Sequence, residues 1–239
     1  MSDPIGPAQP KSSPSDPPIP LVVSLSALTI VSGVVDAFSY LGLGHVFTAN
    51  MTGNVVLVGF AAAGAPGFSI AASLTALGLF LVGAAVGGRM VLQFVRQRTL
   101  LLVVMTLEAS FVALAAVIAA SVSAIGEGWP RYVLISVLAF TMGIRNAAVR
   151  HIGVRDMTTT VLTQTLTGLA ADSSLGGGHN PNALHRTISV LAMFVGALVG
   201  AALLLHGSPG WALGLAAALV AGNVVFFARQ APLELGLAS

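Results

Sequence analysis

The 239-residue chain contains no cysteine. That absence excludes disulfide frameworks, thiolate zinc sites, iron–sulfur clusters and thiol nucleophiles together, and it leaves the redox compartment unreadable. Charge is nearly as scarce: Asp, Glu, Lys and Arg make up 8% of the residues, against about a quarter in soluble domains. An ordinary soluble enzyme is excluded on that ground. What is present is apolar, with 56% hydrophobic residues and a mean hydropathy of +0.93. A bilayer-spanning helix takes about 20 mostly apolar residues, so the chain has room for about six to eight spans and no room for a large extramembrane domain.

The formal net charge is +2 and the pI near 9.7. This basicity does not point to nucleic acid, because nine of the ten basic residues are Arg and they are scattered between apolar runs. Their placement reports topology instead. Residues 1–20 are rich in Pro and Ser and read as a disordered cytoplasmic tail. A single Lys11 precedes an apolar run of spanning length, so the chain from Leu21 reads as a first membrane helix and not as a cleaved signal.

Apolar segments fall at about 21–43, 51–65, 69–94, 100–125, 131–149, 158–171, 187–206 and 210–228. The second and sixth are short and polar, TANMTGNVVLVG (48–59) and TTTVLTQTLTGLAADSS (158–174). Short, interrupted hydrophobic segments at corresponding places in two halves point to a transporter binding site. The halves do correspond. Gly33, Asp36 and Ala37 match Gly143, Asn146 and Ala147, and Gly42 matches Gly153. Met51 to Asn54 match Leu162 to Thr165, and residues 81–87 match residues 194–200, at offsets between 110 and 113. A duplication is expected, with a first membrane repeat over 21–125, a second over 129–230 and a short cytoplasmic tail at 231–239.

Arginine placement separates two topologies. If all eight segments span, the basic residues divide six against four; if the second and sixth enter and leave on one side, they divide nine against one, with only Arg131 outside. The positive-inside rule favours the second arrangement. The expected fold is therefore all-α, with six transmembrane helices plus two short re-entrant or broken segments arranged as two inverted repeats, and both termini cytoplasmic.

The runs VSGVVDAFSYLGLGHVFTANMTGNVVLVG (31–59), GIRNAAVRHIGV (143–154) and TTTVLTQTLTGLA (158–170) resemble the YoaK-like family of bacterial multispanning inner-membrane proteins of unknown function. The resemblance covers about residues 25–228. Gln164 departs from it, standing where a small residue is expected in the Leu-Thr-x-Thr element. The resemblance implies a multi-pass protein of the bacterial inner membrane and supplies no activity.

The few polar groups inside the apolar mass are the candidates for chemistry. Asp36 lies in the first long segment with Ser32 one turn before it and Ser39 and Tyr40 one turn after. A carboxylate in hydrocarbon is costly and must face the bundle interior. It reads as a substrate or cation contact or a proton-carrying carboxyl; the alternatives are a pair with an interior Arg or a cap on the second segment. Glu108 is a second interior carboxyl, suited to proton coupling or to a pair with Arg89 or Arg96. Arg145 and Asn146 occupy the stretch matching Asp36, and Arg145 is either an interface anchor, an anion contact, or a partner of Asp36 or Asp156. Arg150 and Arg155 read as interface anchors.

Asn50, Thr52, Gly53 and Asn54 form the first short segment's tip, with Asn50 and Asn54 one helical turn apart. Thr159, Thr160, Thr163, Gln164 and Thr167 form a polar stripe on the second. Hydroxyls and amides replace part of a hydration shell without a full charge, as a pore or polar site requires; the alternative is helix-to-helix glue. The substrate- or ion-binding candidates are thus Asp36, Asn50, Thr52, Asn54, Arg145, Asn146, Thr160, Thr163, Gln164 and Thr167. Gly83 and Gly87, and their counterparts Gly196 and Gly200, read as helix-packing positions. Asp172 reads as an interface marker. The five histidines have no metal-helix spacing, no nucleophile motif is present, and no metal, cofactor or enzyme activity is expected.

These features predict a small-solute or ion transporter or channel whose two polar tips face each other at the midplane, in contact with the lipid bilayer, not with nucleic acid, and with a homo-oligomer open as a possibility. The alternative is a non-transporting assembly, sensor or lipid- or partner-binding protein acting through its glycine faces.

Overall fold

The computed structural model describes residues 17–122, 124–153, 162–178 and 182–230. Among them are eight α-helices: α1 (Ile19–Gly42), α2 (Met51–Ala62), α3 (Ile70–Gln93), α4 (Gln97–Ser121), α5 (Gly128–Ile152), α6 (Leu162–Ala171), α7 (Ala183–His206) and α8 (Pro209–Arg229). There is no strand among the described residues. Six helices, α1, α3, α4, α5, α7 and α8, are long and apolar enough to cross a membrane. At about 1.5 Å per residue, the 12 residues of α2 are too short for a hydrocarbon core about 30 Å thick, and α6 has 10 residues among those described. The chain is an all-α integral membrane protein.

Local chemistry sets the helix ends. Proline stands in the first turn of α1 and α8, where its missing N–H costs nothing. Ser69 caps α3 by accepting the Ala72 N–H at 3.2 Å. Gly153 ends α5 at φ 70°, a left-handed position suited to glycine.

Three pairings organise the spans. α1 lies along α7 and α3 lies along α5, each pair parallel: Gly33 meets Met193 and Ala197 while Gly42 meets Leu204, and Gly83 meets Phe140 while Gly87 meets Ile144. α4 and α8 are antiparallel, with Gly210 against Ala116 and Ala120 at one end, and Arg98 donating to the carbonyls of Ala228 and Gln230 at the other. Arg131 near the start of α5 donates to the Gly44 carbonyl just past the end of α1, so α1 and α5 run oppositely. It follows that α1, α4 and α7 run one way and α3, α5 and α8 the other. α1 and α5 form the centre, with 67% and 61% of their spanning windows buried against 22–33% for the other four. Those outer helices turn Leu81, Leu114, Phe194, Leu198 and Val225 outward, as a lipid-facing surface requires.

Helix direction also sorts the arginines. Arg89, Arg96, Arg98, Arg150, Arg186 and Arg229 lie at one end of the bundle and Arg131 at the other. Arg145 belongs to neither end: it is fully buried, which corrects its assignment to the basic face. Lys11, Arg155, Asp156, residues 1–16 of the expected 1–20 tail and the tail 231–239 lie outside the described residues, while α1 begins at Ile19, two residues inside the expected tail.

Candidate functional site

Asp36 sits on α1 six residues before its end, about 9 Å inside at 1.5 Å per residue. The chain turns back after Gly42 and reaches that depth again at residues 48–50. There the Thr48 and Ala49 N–H groups donate to Asp36 Oδ1 at 3.0 and 2.7 Å, and Asn50 Nδ2 donates to Oδ2 at 2.6 Å. α2 starts from this point, and the loop after it returns to the end of α1, where His45 Nδ1 lies 3.1 Å from the Gly67 carbonyl oxygen. α2 is therefore re-entrant, entering and leaving on the side where α1 ends. Hydrogen bonds to an ionised acceptor are roughly twice as strong as neutral ones, and Asp36 makes three. It holds the loop and the N-cap residue Asn50 ahead of α2, and accepts from none of the first-turn N–H groups that a helix cap would take.

The rest of the Thr48–Asn54 motif completes the clamp. Asn54 is buried and grips Phe47 at both ends, its Oδ1 accepting the Phe47 N–H at 2.9 Å and its Nδ2 donating to the Phe47 carbonyl at 2.6 Å. Thr48 donates its hydroxyl to Ser39 Oγ at 3.3 Å. The Phe47 ring lies where a Cβ on Gly53 would be, at 2.6 Å from ring carbon Cδ2, so that glycine makes room for it. Asn50 and Asn54 thus do separate work: Asn50 is the N-cap residue bound to Asp36, and Asn54 turns back to the loop. The shared polar face expected of them is not formed.

Two cavities flank the tip. The larger, about 900 Å³, is lined by Ala49, Asn50, Met51 and Thr52 with Phe80, Ala84 and Gly88 of α3 and Asn146, Ala147, Arg150 and His151 of α5. The smaller, about 310 Å³, is lined by Phe47 and Asn50 with Asp36, Ala37, Tyr40 and Leu41 of α1 and Met193, Ala197 and Ala201 of α7. The helical walls correspond at seven positions, α5 positions being α1 positions plus 110 and α7 positions α3 positions plus 113, while Val91 and Val149 of the larger cavity and Gly33 of the smaller have no counterpart. The larger cavity lies toward the arginine-rich end and the smaller toward the Arg131 end. Asn50 lines both.

Arg145 and Glu108 meet in the core, Nη1 to Oε1 at 2.8 Å, both side chains fully buried. Arg145 also donates to the Leu28 carbonyl at 3.2 Å and to Ser32 Oγ at 2.5 Å. This corrects two expectations: Arg145 pairs with Glu108 and not with Asp36, and Glu108 pairs with neither Arg89 nor Arg96; Asp156 lies outside the described residues. Glu108 Oε2 and Arg145 Nε have no hydrogen-bond partner in the described structure.

The second stripe is placed differently from the first. Thr163, Gln164 and Thr167 are exposed on α6, and Thr167 donates its hydroxyl to the Thr163 carbonyl at 2.9 Å. No described α6 residue lines either cavity, so the expected meeting of two tips is not seen among the described residues. Thr159 and Thr160 lie outside them. Asn146 lines the larger cavity and donates to the Met142 carbonyl at 2.9 Å. Thr52 is exposed at the cavity rim. Asp172 pairs with Arg186 at 2.6 Å on the surface, a contact of small energetic weight. Gly83, Gly87, Gly196 and Gly200 each face a neighbouring helix inside the chain.

Three features were missed from the sequence: the walls formed by Ala84, Gly88, Ala197 and Ala201, the cavity positions of Arg150 and His151, and buried Asn223, which donates to the Ser24 carbonyl at 3.0 Å. The offset of 113 between α3 and α7 was the available signal for the walls.

Six apolar spans around a re-entrant helix define a multi-pass transmembrane protein. The chain belongs to the family described as "Protein of unknown function (DUF1275)", whose model matches residues 24–227. It is similar to the UPF0700 transmembrane protein YoaK of Bacillus subtilis (strain 168), at 37% identity over 150 residues. That match covers 63% of this chain and 66% of YoaK, just under two thirds of the relative's length. No solved structure matches the chain.

Proposed function

We propose that the protein is a small-solute transporter of the bacterial inner membrane, built from two inverted repeats, with its solute path running through the two cavities past Asn50. The single observation that carries this reading is the pair of cavities with corresponding walls, one toward each end of the bundle, sharing Asn50. Matching segments on oppositely directed helices α1 and α5 are what inverted repeats produce, and the midplane meeting point of such repeats is where transporter sites lie. The two cavities, about 900 and 310 Å³, are separate, with Asn50 in the wall of each, which favours a carrier over a continuous channel. Arginine segregation favours cytoplasmic termini.

In this reading Asn50, Thr52 and Asn146 face the solute, while Asp36 and Asn54 hold the tip in place. The competing reading, a partner-binding protein acting through its glycine faces, has less support, because those glycines already pack helices within the chain. The test is an unbiased solute screen on purified protein in liposomes, comparing wild type with Gly88→Trp. Gly88 lines the larger cavity and has no atom within 4 Å of a Cβ position, so a side chain can be rooted on the cavity wall there without displacing a helix. At least one solute is expected to move with wild type and to lose most of its flux in the variant. Flux unchanged by Gly88→Trp, or no solute moved at all, overturns the proposal.

A further inference from the structure

The core spanned by α1, α4 and α5 holds three formally charged side chains, Asp36, Glu108 and Arg145, all buried. With both carboxyls ionised they sum to one excess negative charge in a region where an uncompensated charge costs several kcal/mol. One proton removes it. The two carboxyls differ in what surrounds them. Both Asp36 oxygens accept from N–H groups, three donors in all, and none of those groups accepts a proton in return. Glu108 has Oε1 on Arg145 and nothing on Oε2.

From this geometry we infer that Glu108, and not Asp36, takes up the exchangeable proton that drives the protein between its two forms, an inference that rests on the transport reading. The step is a simple protonation: a proton from water adds to Glu108 Oε2, the carboxylate becomes a neutral acid, and no other bond breaks. Arg145 then loses its ion pair with α4 and keeps its contacts with the Leu28 carbonyl and Ser32 hydroxyl, both on α1. Ser32 precedes Asp36 by one turn on the same face, so Arg145 remains as the counter-charge to Asp36. Protonation thereby unfastens α4 from the α1/α5 centre and leaves the α2 tip clamped. The polar groups facing this cluster are Ser32 and Asp36 from α1, Thr141 and Arg145 from α5, and Asn223 from α8 beside Met105, one turn from Glu108 on α4. Arg145 is the one cation among them.

The experiment follows the carboxyl directly in the full chain held in lipid nanodiscs. Infrared difference spectra across a pH titration are expected to contain a protonated-carboxyl band that grows as the pH falls and shifts to lower frequency in deuterated water. That band should be lost in Glu108→Gln and kept in Asp36→Asn; should Asp36→Asn not fold, Glu108→Gln alone decides. In a second arm, a Thr52→Cys reporter in the larger cavity should react with a soluble thiol reagent at a pH-dependent rate, beyond the reagent's own dependence, and lose that dependence when Glu108→Gln is added. A missing band, a band surviving Glu108→Gln, or reporter kinetics unaltered by Glu108→Gln overturns the inference. A failed solute screen beside positive results in both arms would sink the transport reading and leave Glu108 as a proton site.

Discussion

Gly33 of α1 faces the Met193 carbonyl and Ala197 amide of α7 as Gly143 of α5 faces the Phe80 carbonyl and Ala84 amide of α3. The two contacts use the same atoms at matched positions, so one close-packing solution occurs twice in the chain. Without a hydrophobic drive between helices in lipid, close approach over small residues supplies van der Waals contact instead. The partners complete the pattern: Gly196 abuts the Ile30 carbonyl as Gly83 abuts that of Phe140.

A methyl group at any of these positions must displace backbone, which does not yield as a side-chain tip does. Gly83→Ala and Gly143→Ala are each expected to destabilise the fold by about 1–3 kcal/mol, the usual range for overpacking. Gly78→Ala is the control, since nothing lies within 4 Å of its Cβ position; it should be neutral or gain about 0.5–1 kcal/mol of helix propensity. Thermal unfolding in detergent, read by circular dichroism, separates the two classes, and equal melting temperatures for Gly83→Ala and Gly78→Ala would contradict the packing.

Thr48 is fully buried and its N–H is held by Asp36. Removing that carboxylate forfeits three charge-assisted hydrogen bonds, each worth about 1.5–3 kcal/mol. Losses of that size are expected to free the tip locally before the bundle unfolds. In the cysteine-free chain, Thr48→Cys should resist labelling, and the double variant Thr48→Cys, Asp36→Ala should label readily. Asn54→Ala is expected to do the same more weakly, because its bonds to Phe47 are neutral.

How much of this was legible in the sequence depends on what each element needed. The six spans follow from apolar run length, and the re-entrant α2 from a short polar segment combined with arginine placement. What Asp36 holds was left open by the sequence, because a carboxylate one turn from hydroxyls serves a ligand or a backbone equally well. The Glu108–Arg145 pair was not legible. It joins positions 37 apart in the chain through the crossing of α4 and α5, and periodicity within a helix says nothing about which neighbour it crosses. The cavity walls were hidden for a related reason: Ala84, Gly88, Ala197 and Ala201 carry no chemistry of their own and matter only as absent volume.

Breaking a buried ion pair from one side leaves the other charge uncompensated, at a cost of about 3–5 kcal/mol, whereas replacing both partners by apolar residues is often neutral. Arg145→Met is therefore expected to destabilise the protein severely, since it leaves the buried Glu108 and Asp36 without a cation, and Glu108→Met to destabilise it less, since Asp36 remains as a counter-charge to Arg145. The double variant Arg145→Met, Glu108→Met should recover most of the loss. The coupling is measured by a double-mutant cycle on unfolding free energies. Additive effects of the two single variants would mean that they do not act as a pair.

The run of helix directions places Pro66, in the loop after α2, at the end of the bundle opposite Gly177, in the turn after α6, and both residues are exposed. In the proposed inverted-repeat arrangement the two loops hold matching places, and their location on opposite sides is what repeats that cross the membrane an odd number of times require. Because the chain has no cysteine, single Pro66→Cys and Gly177→Cys variants each carry one reactive thiol. An impermeant maleimide applied to intact cells is expected to label Pro66→Cys, and Gly177→Cys only after the membrane is opened. The basic face agrees with that assignment, since Arg186 lies near Gly177 in the chain and Arg131 contacts the loop after α1. Labelling of both positions from the same side would remove the inverted arrangement, and with it the two opposed cavities as the two ends of one path.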